Sequence, residues 1–525
     1  MVITSGTGDV TFSGAIGATN ALGGLSVNAS SGDGNITFSS TIGDTSNPGV
    51  VGTTSIGNTD TADLNFNAAT YSFDGGTTTI TAASGDTIDM GALAATSFTT
   101  AADNITFATG TIELADGSNL TVDTGATGGN ITIGEIAGTS VETVTLDAGT
   151  GTTSVGVIGS TTEIGALTIG SAENGGITLN GAITTDGAVT IDGPVTLATG
   201  AVSVTTANDA ITFNHTIDGA QTLTLVSGTA ATILSGDIGA TTPLTGLTIT
   251  NGTANGTITF GGNIGDGSGA GVEGTTLIGN TNTADLNFNS TIYSFDGATT
   301  ITAASGDTID IGAGAATTFT TAADNITFAT GNIELADGSN LTVDTGATGG
   351  NITIGEIAGT SVETVTLDAG TGTTSVGVIG STTEIGALTI GSAENGGITL
   401  NGAITTDGAV TIDGPVTLAT GAITVTTAND AISFNHTING AQALTLVSGT
   451  AATTIDGTIG GSTAISSLTI TNGTANGAIE IANIGGVTGA TAIGNTNTGT
   501  ITLMEPHIAQ PALRHIPVSY THLRA

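Results

Sequence analysis

Carboxylates are the abundant chemistry-bearing side chains of this 525-residue chain, with 43 Asp and Glu against two Lys or Arg and five His. Two spacings could set up acid–base work on a glycosidic bond: Glu135 with Glu142, and Asp186 with Asp192. In such a pair one carboxyl donates a proton while the other attacks or activates water. So many carboxylates in repeated turns also generate close pairs by chance. An enzyme acting on an acidic polysaccharide would need cations to hold its substrate, and residues 1–503 hold no Lys or Arg. His215 and His436 are equivalent copies in Asn-His-Thr contexts. A catalytic His is ordinarily unique, so a surface or turn role is the reading for both. No phosphate-binding loop, nucleophile elbow or His-Glu-x-x-His motif occurs. The chain therefore reads as non-enzymatic, with no catalytic and no cofactor-binding residue assigned.

Metal chemistry is left more open. Asp and Asn gather in turn-like segments such as Ser84–Asp89 (SGDTID) and Thr185-Asp186-Gly187 with Asp192. Hard oxygen ligands at turns suit Ca²⁺, but Asp-Gly is foremost a turn dipeptide. Neither an EF-hand loop nor a glycine-rich Asp nonapeptide is present. Structural Ca²⁺ is thus an open option with no ligand assigned. Cys is absent, which excludes a disulfide framework and thiolate metal sites.

The elements that would carry these side chains are strands. Apolar–Thr–apolar triplets recur, as in Ile211-Thr212-Phe213, Leu223-Thr224-Leu225, Leu247-Thr248-Ile249 and Ile258-Thr259-Phe260. Alternation puts two apolar side chains on one face and Thr on the other. Leu223 and Leu247 lie one such interval apart, and a weaker strand at Ile233-Leu234 falls between the two Ile-Thr-Phe triplets. Turn formers punctuate the triplets, among them Asp74-Gly75, Asp116-Gly117 and Asp192-Gly193-Pro194. Gly and β-branched residues dominate, so helix signals are nearly absent. The fold class is all-β, a parallel β-helix (β-solenoid) of roughly 20–25 residues per coil. Tandem β-sandwich domains are the alternative, although aromatics are only 3% and Trp is absent. At ~22 residues per coil, residues 1–503 would form roughly 23 coils and carry about one charge per 2.6 Å of axis. Such a density repels nucleic acid and favours salty or cation-rich surroundings.

The stretch Ile112–Ala201 returns without substitution as Ile333–Ala422, within a unit of ~221 residues. Residues 1–503 read as one solenoid built of a partial copy (1–58) and two copies (59–280 and 281–503). Met1 falls in mid-repeat, so the chain reads as an internal fragment. The repeat phase stops at Met504. Residues 504–525 contain Arg514 and Arg524 and break the composition. Their end, Val518–Ala525 (VSYTHLRA), resembles translated sequencing-adapter sequence, so this tail is read as an artefact and left out of the fold. No run is long and apolar enough for a transmembrane helix.

The phrases GDVTFSGAIG, GNITFSSTIG, ALTIGSAENGGITLNGAITTDGAVTIDGPVTL and LTLVSGTAATILSGDIG resemble the repeat regions of large bacterial surface proteins. These are the β-strand-repeat, filamentous-haemagglutinin-like adhesins. The resemblance covers essentially residues 1–503. It implies a right-handed β-helix stalk, secreted or held at the outer cell surface. Its partners would be host or neighbouring-cell surface glycans or proteins, or biofilm matrix, and not nucleic acid. A polysaccharide-active β-helix enzyme is one alternative, opposed by near-perfect duplication. An ice-binding solenoid is another, suggested by words such as Thr222-Leu223-Thr224. Variable spacing argues that such words do not line up on one flat face.

Overall fold

A computed structural model describes residues 1–504, apart from 31, 33, 92–94, 174, 254, 395 and 475. The tail read as adapter-like, including Val518–Ala525, lies outside the described residues. The chain is all-β and winds into a β-solenoid of about 21 turns. It divides into two compact units, Met1–Gly262 and Asn263–Ala525.

In the first unit the strands pair in parallel with strands one coil later. Leu120–Asp123 sits on Thr143–Asp147, which sits on Ala166–Gly170, then Val189–Asp192, then Ile211–Phe213. Parallel pairing in sequence order excludes the sandwich alternative, whose strands run antiparallel. Alternation does the sorting. Leu120, Val144, Leu167, Val189 and Ile211 form one buried column, and Val122, Leu146, Ile169, Ile191 and Phe213 form the next. Full burial of each such side chain stabilises by about 1.5–3 kcal/mol. Aromatics are few but grouped: Phe12, Phe38 and Phe66 stack at centroid distances of 5.0 and 5.3 Å. Tyr71 closes that group, its hydroxyl accepting the N–H of Ala68 at 2.9 Å.

The second unit repeats this plan. Leu341–Asp344, Thr364–Asp368, Ala387–Gly391, Val410–Asp413 and Ile432–Phe434 stack in parallel. Phe288, Tyr293, Phe319 and Phe328 form its aromatic group.

Coil length varies more than the expected 20–25 residues. Ile177 pairs with Val195, 18 positions on, whereas Val27 pairs with Ile56, 29 positions on. The turns absorb most of the difference, and the register shifts within a few strands, as between Ile301 and Thr302 and between Ile455 and Thr458. Backbone crowding sets glycine at positions in and at the ends of strands. Gly57 has φ +72°, and a Cβ on Gly156 would lie 2.0 Å from the Gly134 carbonyl oxygen one coil back.

Candidate functional site

Outward strand positions carry the polar chemistry, and the coil stacking sets them in columns. Thr121, Thr145, Thr168, Thr190 and Thr212 are successive register partners, an uninterrupted hydroxyl ladder on one face of the first unit. A second face carries Thr79, Thr106, Thr132, Ser154, Thr178 and Thr196 in the same manner. In the second unit, Thr342, Thr366, Thr389, Thr411, Ser433 and Thr454 repeat the first ladder. The Thr-x-Thr words themselves do not line up: Thr222 faces Gly246 and Thr143 faces Ala166, while Thr224 faces Thr248 and Thr145 faces Thr168, so the stacking aligns single Thr columns. Length differences sit mostly in the turns and leave these columns aligned.

Carboxylates line up as well. In the second unit Asn287, Asp310 and Glu334 are successive partners, and Asn65, Asp89 and Glu113 repeat that order in the first. The Thr308 hydroxyl lies 3.0 Å from both Asp285 Oδ1 and Asp310 Oδ2. Burial holds the Asp310 carboxyl above its ordinary range; the Thr308 hydrogen bond opposes this, and the charge of Asp285 reinforces it. Asp89 is raised likewise, by burial first, against Thr87, with Asp63 and Glu113 adding repulsion. A groove of ≈ 340 Å³ opens beside this column, lined among others by Asp310, Glu334, Leu335, Ala358, Thr360 and Thr383. Its lining mixes apolar side chains with hydroxyls and carboxylates and includes no cation. The signal for the column was present in the words Thr308–Ile311 (TIDI) and Ile333-Glu334-Leu335, once aligned at one coil.

The acid–base candidates have other work. Glu142 is wholly buried. Its carboxylate accepts the N–H groups of Thr139 at 2.6 Å and Gly117 at 3.3 Å, as well as the Thr139 hydroxyl. This folds a loop in which Ser140 adopts φ 80° and Val141 stands exposed. Burial alone would raise the Glu142 carboxyl, but the Thr139 and backbone donors outweigh it and hold it below the ordinary value. Glu363 repeats the arrangement with Thr360. Glu135 lies on the strand Ile131–Ala137 and pairs in register with Val157. Asp186 occupies the turn after Ile183–Thr185, and its backbone N–H donates to Ile164 O at 2.8 Å. Asp192 instead faces His215, with Nε2 to Oδ1 at 3.3 Å, and Asp413 faces His436 at the same distance. Both His are about one-third exposed, on the surface between consecutive coils.

For metal, no three His, Asp or Glu side chains converge on an ion position among the described residues. Of the segment Ser84–Asp89, Asp89 belongs to the acidic column, and the Asp86 backbone N–H closes a turn onto Ala83 O at 3.1 Å.

Asx side chains have a role that sequence reasoning missed. Placed just before a strand or in its first residues, they accept the N–H of the equivalent residue one coil on. Asp9 takes that of Asn35 at 3.0 Å, and Asn35 takes that of Asp63 at 3.1 Å. Asp63 then takes that of Thr87 at 3.2 Å. No known protein family, curated protein or solved structure matches the chain.

Proposed function

We propose that this chain is a non-enzymatic structural and adhesive segment of a secreted or cell-surface bacterial protein. It acts by reach and by many weak, identical contacts to surface glycans, surface proteins or biofilm matrix. The observation that supports this most is the aligned hydroxyl ladder, present in each unit, with Ser433 in the second standing where the first has Thr212. Each stacked coil adds about 4.8 Å of length, and each ladder offers the same donors and acceptors at that interval. Linked weak sites hold a partner far more strongly than one site does. The commitment of Glu142 and Glu363 to loop capping, and of Asp192 and Asp413 to His, argues against the polysaccharide-active alternative.

An adhesion assay tests the reading. Beads coated with the full chain should be retained on bacterial or host-cell surfaces, or on matrix polysaccharide. Free chain should compete only at high concentration, as avidity requires. Retention no greater than that of uncoated beads on all three surfaces would refute it.

The same ladders favour a second reading, an ice-binding face, because ice recognition needs hydroxyls in register on a flat strand face. Thermal hysteresis at micromolar protein would establish that reading over the stalk. Its absence would leave the ladders to surface contacts.

A further inference from the structure

Negative charge alone selects no place in a chain with 43 Asp and Glu. Shape does. The groove of ≈ 340 Å³ beside Asp310 and Glu334 lies within the second unit and takes its lining from successive coils. Asp310 belongs to the strand Thr308–Ile311, Glu334 and Leu335 to Ile326–Leu335, and Ala358 to Ile352–Ala358. Thr382 and Thr383 follow the strand Thr373–Ile379 on the coil after that. Four coils stacked at ~4.8 Å make a run of about 14 Å from first to last. Asp310 and Glu334 are register partners at its start, Leu335 and Ala358 give apolar surface along it, and Thr360, Thr382 and Thr383 bring hydroxyls to its other end.

The charge at the start of this run is unbalanced. Residues 1–503 hold no Lys or Arg. The Thr308 hydroxyl lies 3.0 Å from an oxygen of Asp285 and of Asp310, and its single proton can serve one of them at a time. Burial first, and then the charge of Asp285, disfavours the ionised form of Asp310. A cation brought here is therefore attracted more strongly than on an open surface. A compact metal ion is a poor match, because no three His, Asp or Glu side chains converge among the described residues. Carboxylates on consecutive coils with apolar surface alongside suit a cation drawn out into a chain. In an extended N–C–C–C–N unit ordinary bond lengths put the nitrogens about 5 Å apart, close to the ~4.8 Å between coils.

We propose that this groove binds a linear polyamine, a chain of ammonium groups separated by methylenes. Two neighbouring ammoniums donate to Asp310 and Glu334, and the methylenes beyond them lie along Leu335 and Ala358. The far ammonium donates to hydroxyl oxygens among Thr360, Thr382 and Thr383. Spermidine spans about 11 Å between its outer nitrogens by the same bond lengths, which fits inside the run of coils. The methylenes gain by leaving water for apolar surface, an advantage that an inorganic cation lacks. The first unit carries the same lining residues, among them Asp89, Glu113, Leu114, Ala137 and Thr139, with Met90 where the second has Ile311. One site in each unit is therefore expected. The inference goes beyond the adhesive reading, since the groove can take a polyamine whether or not the chain adheres to a surface.

Isothermal titration calorimetry of the full chain with spermidine tests this, in about 0.15 M NaCl so that diffuse attraction to the acidic surface is screened. Saturable binding is expected, and Asp310→Asn with Glu334→Gln should weaken the second-unit site about tenfold or more, the effect of losing one charge-assisted hydrogen bond. Glu273→Gln with Asp430→Asn removes the same charge from exposed positions outside the groove and should leave the affinity unchanged. In thermal melts followed by circular dichroism, spermidine should raise the melting temperature of the parent chain more than that of the groove variant. Absence of saturable binding overturns the proposal. Equal weakening by the two variant pairs, or Mg²⁺ binding as tightly as spermidine, would reveal diffuse counterion attraction and overturn it too. So would saturation by a Lys-Ala-Lys peptide where spermidine fails to bind, which would make the occupant a basic peptide.

Discussion

Thr54, Thr78, Thr96 and Thr276 point into the core and bury hydroxyl oxygens that meet no hydrogen-bond partner among the described residues. A sealed, unpaired polar atom is costly, and Val has nearly the shape of Thr. Thr78→Val should therefore stabilise the chain by about 1 kcal/mol, seen as a higher denaturation midpoint; a lower midpoint would contradict this account. Glu142 and Glu363 work in the other direction. Their folded-state values lie below the ordinary glutamate value of 4.5. Their contribution is thus fully present above that pH and is lost as pH falls through the folded value. Glu142→Gln with Glu363→Gln should lower stability at pH 7 by roughly 1–3 kcal/mol and flatten the loss below pH 4.5. Chemical denaturation at a series of pH values measures both effects. For Asp310 the sign reverses. Its raised value means the charged form is disfavoured on folding, so stability is gained as pH falls through the folded value. Asp310→Asn should relieve cross-strand repulsion worth roughly 0.2–1 kcal/mol at pH 7, raising the melting temperature there and leaving it unchanged in acid.

Among elements, one close backbone approach is between the strands Ile131–Ala137 and Thr153–Ile158, where Gly156 lies over Gly134. Because the obstructing atom is a backbone oxygen, Gly156→Ala should cost about 1–3 kcal/mol. Gly134→Ala, where a Cβ meets nothing within 4 Å, should be far milder; equal effects in thermal melts would disprove the close contact. The strands themselves were legible in the sequence. Leu223 does pair with Leu247, and the Ile233-Leu234 segment does bridge the two Ile-Thr-Phe triplets. Its orientation was not legible. Thr232 and Leu234 point inward and Ile233 outward, because the buried Ser227 Oγ accepts the Thr232 hydroxyl at 3.0 Å. The caps were equally hidden. Asn104 reaches Asn130 and Asn119 reaches Thr143 through partners fixed only when turns of unequal length close. Local pattern reveals which residues alternate, whereas contacts between coils depend on the sum of every turn between them.

For the molecule as a whole, a formal net charge of −41 sets the conditions under which it is most stable. Like charges stacked coil upon coil repel, and counterions screen them. Melting temperature followed by circular dichroism should rise with added NaCl, and further with millimolar Ca²⁺. A random-coil spectrum in the presence of Ca²⁺ would refute a folded stalk altogether. The uniform coil of ~22 residues assumed from sequence gave roughly 23 coils, and the structure has about 21 turns because its mean coil is longer than that. Parallel stacking also has a mechanical consequence. Within a unit, each strand is held by the strand one coil away, so tension on a terminus peels bonds one coil at a time instead of shearing them together. Each released coil of roughly 24 residues would pay out about 80 Å of chain. Single-molecule stretching should show a train of modest force steps whose spacing varies with coil length, from 18 to 29 residues, and one large rupture would rule this out. A tether that yields in this way dissipates a sudden load along its own length before its far contacts feel it.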